Sequence, residues 1–224
     1  MNARIEPKES IREFVYRKIR NQIINWELKP GQKLSEKEIS DTLSVSRTPV
    51  REAFIHLSQE ELLHIYPQIG TVVSKINISQ VEEARFIRVH IERAIVKNLC
   101  KGVSEDFIFN MESNLMMQSL CVEKNSNRRI FELDEEYHKL FYQEDKKLRT
   151  WLFVRKMNGN FDRLRALRLA SDTNWEQIVQ HHQEIFKRIL AKDPIGADKI
   201  MTEHLELVNL EKGDIASKFP EYFI

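Results

Sequence analysis

Asp and His side chains in the second half of the chain have the spacing of a metal site. Asp134 and His138 are four positions apart, so on a helix they share one face and can bind one ion. His182 and His204 flank the turn predicted at "AKDPIGA", and each lies about ten residues, or roughly 15 Å of helix, from that turn. In an antiparallel helix pair the two histidines therefore lie at the same height along the bundle axis. Four ligands from three helices can therefore converge at one depth of a bundle.

Each histidine also has a plainer interpretation. A single histidine is more often a surface or hydrogen-bonded residue than a ligand, and only the matching heights of the set favour a metal. His181 is the rival of His182, but it points about 100° away on the helix and breaks the spacing to Asp193. His56 and His64 have no motif role, and surface or interface packing is the default for both.

A second candidate site lies in "SVSRTPVREAF", residues 44–54. Arg47 and Arg51 are four positions apart, with Thr48 beside Arg47, on a different side from an apolar stripe. The stripe consists of Val50, Ala53, Phe54 and Leu57. Pro49 is tolerated only in a first turn, so the arginines lie at a helix N-terminus, where free backbone N–H groups favour anions. Such a tip suits a DNA major groove, but from these residues alone a solvated arginine pair is an equal alternative.

The composition limits the fold and the class of protein. The 224 residues are 42% hydrophobic and 31% charged, with six glycines and six prolines, which favours helices in two domains. The formal net charge of +1 is no global sign of a nucleic-acid binder, so DNA binding requires a local patch. Cys100 and Cys121 lack metal or redox spacing. Because no signal peptide or membrane span is evident, we expect a soluble cytoplasmic protein without a membrane partner.

Helices and one hairpin position the arginine-tipped helix. Apolar periodicity predicts a first helix over residues 10–26, and a turn follows at Pro30 and Gly31. Ser35 and Glu38 form a capping-box pattern at the start of a short helix, and the arginine-tipped helix follows closely. Residues in "LLHIYPQIGTVVSKI" then predict a hairpin. These elements, in order, form a winged helix-turn-helix.

The rest of the chain has no further strand signal. Periodicity predicts about six helices, over residues 79–100, 104–123, 126–143, 146–170, 174–191 and 195–212. The sequence therefore predicts a mainly α fold, with a winged helix-turn-helix in residues 1–76 and an all-α bundle in residues 77–224.

The N-terminal region resembles a known family of DNA-binding domains. The segment "LKPGQKLSEKEISDTLSVSRTPVREAFIHLSQEELLHIYPQIGTVVSKI" is similar to the domain of GntR-family bacterial transcription regulators, and "SRTPVREA" is its most diagnostic part. The resemblance covers about residues 10–76 and implies binding to double-stranded operator DNA. The positions that match DNA contacts in that family are Lys37, Arg47, Thr48, Arg51 and the wing-tip Gly70.

Two further positions have alternative roles under this resemblance. Ser46 is either a helix cap or a phosphate ligand, and the cap is the preferred interpretation. Gln68 is either a DNA contact from the wing or a plain turn residue.

The C-terminal region resembles the FCD ligand-binding domain of the FadR subgroup. The segments "DEEYH", "HQEIFKRILAKD" and "ADKIMTEHL" correspond to its three ligand-bearing segments, although "QEDKK" departs from the usual turn after the first of them. The resemblance implies an all-helical bundle and a divalent metal at Asp134, His138, His182 and His204. Zn²⁺ is the first choice, and Ni, Mn or Fe also suit these ligands.

The same resemblance implies a small carboxylate effector beside the metal. Arg88, in "RFIRVHIE", matches a position that lines the effector cavity, and Glu92 is four residues later and able to pair with it. Arg163, Arg165 and Arg168 offer a second carboxylate clamp, led by Arg163, with two of the three expected in solvent because they cannot all face inward.

These features predict a ligand-responsive regulator, a repressor by family tendency, that binds palindromic DNA as a homodimer. A metal-dependent enzyme is the alternative, because an Asp and three His can activate water. Glu135 and Glu136 point in other helix directions than Asp134, so no general base is convincing, and the fused DNA-binding domain favours a non-enzyme. A regulator whose metal is purely structural is a further alternative.

Overall fold

The computed structural model describes residues 9–168 and 175–224. Its N-terminal part contains α1 (Ile11–Ile24), β1 (Lys33–Leu34), α2 (Glu36–Leu43), α3 (Arg47–Gln59), β2 (Leu63–Tyr66) and β3 (Gly70–Val73). Its C-terminal part contains α4 (Ile78–Leu99), α5 (Glu105–Glu123), α6 (Asn127–Glu144), α7 (Leu148–Met157), α8 (Gly159–Arg168), α9 (Trp175–Leu190), α10 (Pro194–Lys218) and a 3₁₀ turn at Pro220–Tyr222. The predicted mainly α fold class is confirmed.

The predicted apolar stripe holds α3 in the N-terminal core. Val50, Ala53, Phe54 and Leu57 are all at most 1% exposed. They face α1, whose own buried side chains include Val15 and Ile19. Burial of a side chain of this size is worth about 1.5 to 3 kcal/mol, so the opposite, exposed side of α3 is well determined.

The predicted hairpin is part of a three-stranded antiparallel sheet with the order β1–β3–β2. Leu63 pairs with Val73 and Tyr66 pairs with Gly70, which places residues 67–69 at the wing tip. The sequence analysis missed β1, whose Leu34 pairs with Thr71. A two-residue strand is too short to show a period, so only pairing with β3 defines it.

The bundle has seven helices in its described part, because the predicted helix over residues 146–170 is divided in two. Helix α7 ends at Met157, with Asn158 as its C-cap, and α8 begins at Gly159. A Cβ atom on Gly159 would lie 2.9 Å from the Cδ2 atom of Leu62, so glycine allows the N-terminal part to approach α8 closely. The predicted ends at Ala170 and Asn174 lie outside the described residues.

Helices α6, α9 and α10 all contribute side chains to the core of the bundle. Tyr137, Phe141, Ile185 and Met201 are fully buried there. The turn between α9 and α10 forms where the sequence predicts it. The Oδ1 atom of Asp193 accepts a hydrogen bond of 2.9 Å from the backbone N–H of Gly196 and caps α10.

The C-terminal segment packs on the linker between the two parts. The backbone N–H of Ile76 donates to the carbonyl of Tyr222 (2.8 Å), and that of Ile224 donates to the carbonyl of Ile76 (3.0 Å). The ring of Tyr222 lies 5.1 Å from that of Trp26 at the end of α1. Among the described helices, none is long and apolar enough to cross a membrane.

Candidate metal centre and DNA-binding surface

The four predicted metal ligands meet inside the bundle. Helix α6 supplies Asp134 and His138, α9 supplies His182 and α10 supplies His204. One ligand atom from each residue lies within 4.8 Å of the others, and all four residues are buried. The sequence therefore predicted a convergence of side chains that the structure contains.

The arrangement of these atoms fits a divalent cation. The Nε2 atom of His204 lies 3.1 Å from Nε2 of His138 and 3.4 Å from Nε2 of His182. The Oδ1 atom of Asp134 lies 3.6 Å from Nε2 of His182. Ligand atoms about 2.0 to 2.1 Å from a tetrahedral zinc ion lie roughly 3.3 Å from one another. Three imidazole nitrogens and a carboxylate at these separations are therefore suitably placed to coordinate one metal ion.

Neighbouring side chains orient two of the imidazole rings. The Oε1 atom of Gln118 lies 2.7 Å from Nδ1 of His182, and Gln118 is itself held by Asn114 at 2.6 Å. The Oε2 atom of Glu92 lies 2.7 Å from Nδ1 of His138, close enough for an electrostatic contact, although the angles are not those of a hydrogen bond. A proton on each Nδ1 leaves the Nε2 lone pair free to bind a metal. The sequence analysis missed Gln118, because α5 carries no residue with an evident metal-binding spacing.

The electrostatics of the centre favour neutral His182 and His204 and an ionised Asp134. Burial lowers the pKa of His182 and that of His204 well below the usual range, with a contribution from the neighbouring histidines. Burial opposes ionisation of Asp134, but Arg165 and His138 outweigh it and lower the pKa of that carboxyl. Glu92 is also fully buried, and Arg88 and His138 lower its pKa to about 2. These are the protonation states that metal binding requires.

A small cavity adjoins the ligands. It is lined by Arg88, Asp134, His138, Phe161, Arg165, Trp175, Ile178, His204, Leu205 and Leu207, with a volume of about 30 Å³. A single water needs at least about 10 to 15 Å³ on this scale, so the cavity has room for an ion and a water but not for a larger organic acid without side-chain movement. The Nε atom of Arg88 donates to Glu92 at 2.9 Å, whereas its Nη2 atom is buried without a hydrogen-bond partner among the described residues.

The N-terminus of α3 presents polar side chains to solvent. Arg47, Thr48 and Arg51 are all exposed, and the first turn of α3 contains no acidic residue. Lys37 on α2 is exposed as well. Because free N–H groups and guanidinium groups both favour anions, this end of α3 suits a phosphate backbone.

Arg51 has a protein partner in this structure. Its Nε and Nη2 atoms donate to the two carboxylate oxygens of Glu36 on α2, at 3.0 and 2.9 Å. The hydrogen bonds from Arg51 lower the pKa of Glu36, so this carboxylate is ionised. Glu36 therefore places a negative charge beside Arg51, a residue that the family resemblance predicts to contact DNA.

The wing ends in an exposed turn. Gln68 has a φ of +64° and Gly70 a φ of +117°, and Ile69 between them is 66% exposed. Within the described part of the chain, no atom lies within 4 Å of the position that a Cβ of Gly70 would occupy. The backbone at Gly70 is therefore open to close approach by a partner.

Two family models match this chain. Residues 11–73 match the model for bacterial regulatory proteins of the gntR family, and residues 83–207 match the FCD domain. The chain belongs to the GntR family. Within that family, it is a transcriptional regulator with an FCD domain.

Relatives of this GntR-family chain extend over its full length. The HTH-type transcriptional repressor RspR of Escherichia coli is 30% identical over 100% of this chain and 98% of its own length. A regulator from an unstable DNA locus of Streptomyces ambofaciens is 32% identical over 95% of this chain and 89% of its own length.

A solved structure has the same overall fold. Escherichia coli McbR/YncC superposes with a TM-score of 0.75, at 19% identity, over 94% of this chain and 99% of its own. At this identity the likeness concerns the fold alone.

The structure revises the predicted effector arginines of this GntR-family protein. Arg163 donates from Nη2 to the carbonyl of Ser74 at 2.7 Å and does not line the cavity, because α8 directs it toward the linker. Arg165 lines the cavity instead and contacts Asp134. The expectation that two of the three arginines are solvated is wrong, because Arg163 and Arg165 are 0% and 8% exposed. The side chain of Arg168 lies outside the described residues.

The structure also bears on the roles predicted for Ser46, Glu135 and Glu136 in this GntR-family protein. Ser46 occupies the N-cap position of α3, in agreement with the preferred interpretation, although its side chain makes no capping hydrogen bond among the described residues. Glu135 is bound by Arg165 and Arg155, and Glu136 lies on the exposed side of α6. Neither carboxylate is placed as a general base at the four ligands.

Proposed function

We propose that this GntR-family chain is a ligand-responsive repressor that binds palindromic operator DNA as a homodimer. In this proposal, its C-terminal bundle holds a divalent metal and receives a small organic acid. The observation that carries the proposal is the union, in one chain, of an exposed arginine-tipped helix and a buried centre of one Asp and three His. The first is suited to DNA and the second to a metal ion.

DNA binding is assigned to α2, α3 and the wing. Arg47, Thr48 and Arg51 enter the major groove, and Lys37 contacts a phosphate or base. The hydroxyl of Ser46 is not used for capping, which supports its alternative role as a phosphate ligand.

The wing approaches the minor groove at Gly70. Its open backbone supports this role. Gln68, held in the same exposed turn, is the side chain we assign to the DNA contact from the wing.

The metal is assigned to Asp134, His138, His182 and His204. Zn²⁺ is the first choice because the ligand separations suit a tetrahedral ion. Ni, Mn and Fe share the same ligand preferences. When bound, such an ion supplies a positive centre to which a carboxylate of an effector is attracted.

The effector site is assigned to the cavity beside the metal ligands. The buried Nη2 atom of Arg88 has no hydrogen-bond partner among the described residues, and Arg165 lines the same cavity. Two guanidinium groups and a cation together favour a carboxylate. Because the cavity is only about 30 Å³, the acid must be small or must displace side chains.

Two further observations support the proposed homodimer and the proposed role as a repressor. Helix α7 exposes Leu148, Leu152, Phe153 and Met157, an apolar surface that a second copy can cover. RspR and the gluconate operon regulator of Bacillus licheniformis are both named as repressors, which supports the same sign for this protein.

The proposal is tested with duplexes that the purified protein itself selects from a random pool. We expect these duplexes to contain an inverted repeat, and the protein to sediment as a dimer with about one Zn²⁺ per chain. Addition of a small dicarboxylate series should release the DNA. Selected sequences without two-fold symmetry, or a protein that carries no metal after Zn²⁺ loading, would contradict the proposal.

A purely structural metal is the second candidate role. The small size of the cavity favours it, because a closed four-ligand site leaves little space for an acid. Calorimetry with the same dicarboxylates separates the two roles. Heat of binding that disappears after metal removal supports a sensing metal, whereas no binding in either state supports a structural one.

A further inference from the structure

A continuous run of alternating charges leaves the metal centre. Arg165 donates from Nη2 to Oδ2 of Asp134, and its Nη1 atom donates to Oε1 of Glu135 at 2.6 Å. The other oxygen of Glu135 accepts from Nη1 of Arg155 on α7. Arg165 thus contacts a metal ligand, lines the adjoining cavity and begins a path away from both.

The same run continues into the DNA-binding part. The Nη1 atom of Arg155 lies 2.9 Å from Oδ2 of Asp162, and that oxygen lies 3.3 Å from Nη2 of Arg20 on α1. The Nε atom of Arg20 lies 3.3 Å from Oε2 of Glu60, whose Oε1 atom accepts from the hydroxyl of Tyr16 at 2.5 Å. We call this set the charge chain; it consists of Asp134, Arg165, Glu135, Arg155, Asp162, Arg20 and Glu60.

The charge chain is shielded from solvent along its whole length. The most exposed of its side chains, Arg155, is 23% exposed, and Asp162 is 0% exposed. Salt therefore screens these pairs weakly. Stability alone is a poor explanation for such a set, because the cost of desolvating buried ions roughly cancels their attraction, and a switch is among the better-attested uses of buried ions.

One end of the charge chain contacts the proposed metal ligand Asp134, and the other lies at the C-terminal end of α3, the helix whose N-terminal end carries the proposed DNA contacts. Glu60 is the C-cap of α3, where the helix dipole disfavours a carboxylate, so its placement depends on Arg20 and Tyr16. Beside the charge chain, the two parts of the protein border a cleft of about 680 Å³ that Arg20 and Arg155 help to line. The DNA-binding part therefore has room to change its placement.

We propose that Arg155 and Asp162 are positioning residues that couple the state of the metal centre to the placement of α3. Arg165 would share the carboxylate of Asp134 with a cation at the proposed metal site, so its contact with Glu135 would change when the site is occupied. Each following pair would then readjust in turn as far as Glu60. This inference rests on the proposed metal site, but Arg155 and Asp162 themselves contact neither the four ligands nor the DNA-binding end of α3.

The experiment compares amide hydrogen exchange in α1 and α3 of the full chain, after chelation and after Zn²⁺ loading. In the unmodified protein we expect Zn²⁺ to change exchange there by about fivefold or more, within the usual range of coupling between sites. Asp162→Asn should bind Zn²⁺ with unchanged stoichiometry and affinity, yet show less than about a twofold change in α1 and α3. Asp198→Asn, which removes a partly buried carboxylate that pairs with Arg93 and Lys97 outside the charge chain, is the matched control and should behave like the unmodified protein.

Two results would overturn the inference. One is a Zn²⁺-dependent change in Asp162→Asn equal to that of the unmodified protein. The other is an unmodified protein that binds Zn²⁺ without any change in α1 and α3, a result that leaves the proposed metal site intact. If the unmodified protein does not bind Zn²⁺ at all, the proposed metal site, and with it the proposed function, is refuted instead. If Asp162→Asn does not fold, Glu60→Gln tests the same prediction from the other end of the charge chain.

Discussion

Arg51 at the start of α3 is bound through two nitrogens by the carboxylate of Glu36 on α2. DNA must compete with this carboxylate for the arginine. Exposed ion pairs are weak, so the competition is modest. We expect Glu36→Gln to raise DNA affinity by roughly two- to fivefold, because the substitution frees Arg51 and removes a charge that repels phosphate.

The measurement is fluorescence anisotropy with a selected duplex at two salt concentrations. Glu38→Gln is the control, since Glu38 is an exposed carboxylate on the same helix. If both substitutions raise the affinity equally, the effect comes from net charge and not from the pair with Arg51.

Arg47 and Lys37 are expected to contribute to binding in different ways. Arg47→Ala should reduce affinity for the selected duplex by roughly 10- to 100-fold and leave non-specific binding less affected, because it loses a base contact. Lys37→Ala should weaken binding to all sequences and lower the salt slope by about one if it contacts a phosphate. Competition titrations with selected and random duplexes distinguish the two. Unchanged affinity and specificity in Arg47→Ala would contradict the assignment of α3.

His182 and His181 form a matched pair for the metal centre. His182→Ala should lose bound Zn²⁺ and the increase in thermal stability that Zn²⁺ produces, because a ligand that binds only the folded state stabilises it. His181→Ala removes the neighbouring imidazole, which lies outside the cluster of four, and should retain both. Metal content by mass spectrometry and melting curves with and without Zn²⁺ are the measurements. Equal metal content in the two variants would rule out the proposed site.

Gln118 is expected to tune the metal affinity without binding the metal. Gln118→Met keeps most of the side-chain volume but removes the oxygen that lies 2.7 Å from Nδ1 of His182. We expect Zn²⁺ affinity to fall by roughly 10- to 100-fold, as is usual when a partner of a ligating histidine is lost. Competition with a zinc-binding dye measures it, and Gln183→Met on the exposed side of α9 is the control. Unchanged affinity in Gln118→Met would show that the ring of His182 is oriented by packing alone.

Features that depend on local spacing could be predicted from the order of the residues alone. The stripe of Val50, Ala53, Phe54 and Leu57 oriented α3, because an apolar repeat of three and four residues specifies which side of a helix is buried. Asp134 and His138 were placed on one face by the same rule. His182 and His204 were placed level by counting from a Pro-containing turn, since the helical rise per residue is constant.

Contacts between side chains of distant helices could not be predicted in this way, because they depend on how the helices pack. The choice of Arg165 over Arg163 depends on how α8 packs after the break at Asn158, and no periodicity in the sequence specifies that rotation. Gln118 reaches His182 because α5 lies beside α9, a contact between residues 64 positions apart. The link from Asp162 to Arg20 spans 142 positions. Such pairs form through the packing of whole helices, so local spacing carries no signal for them.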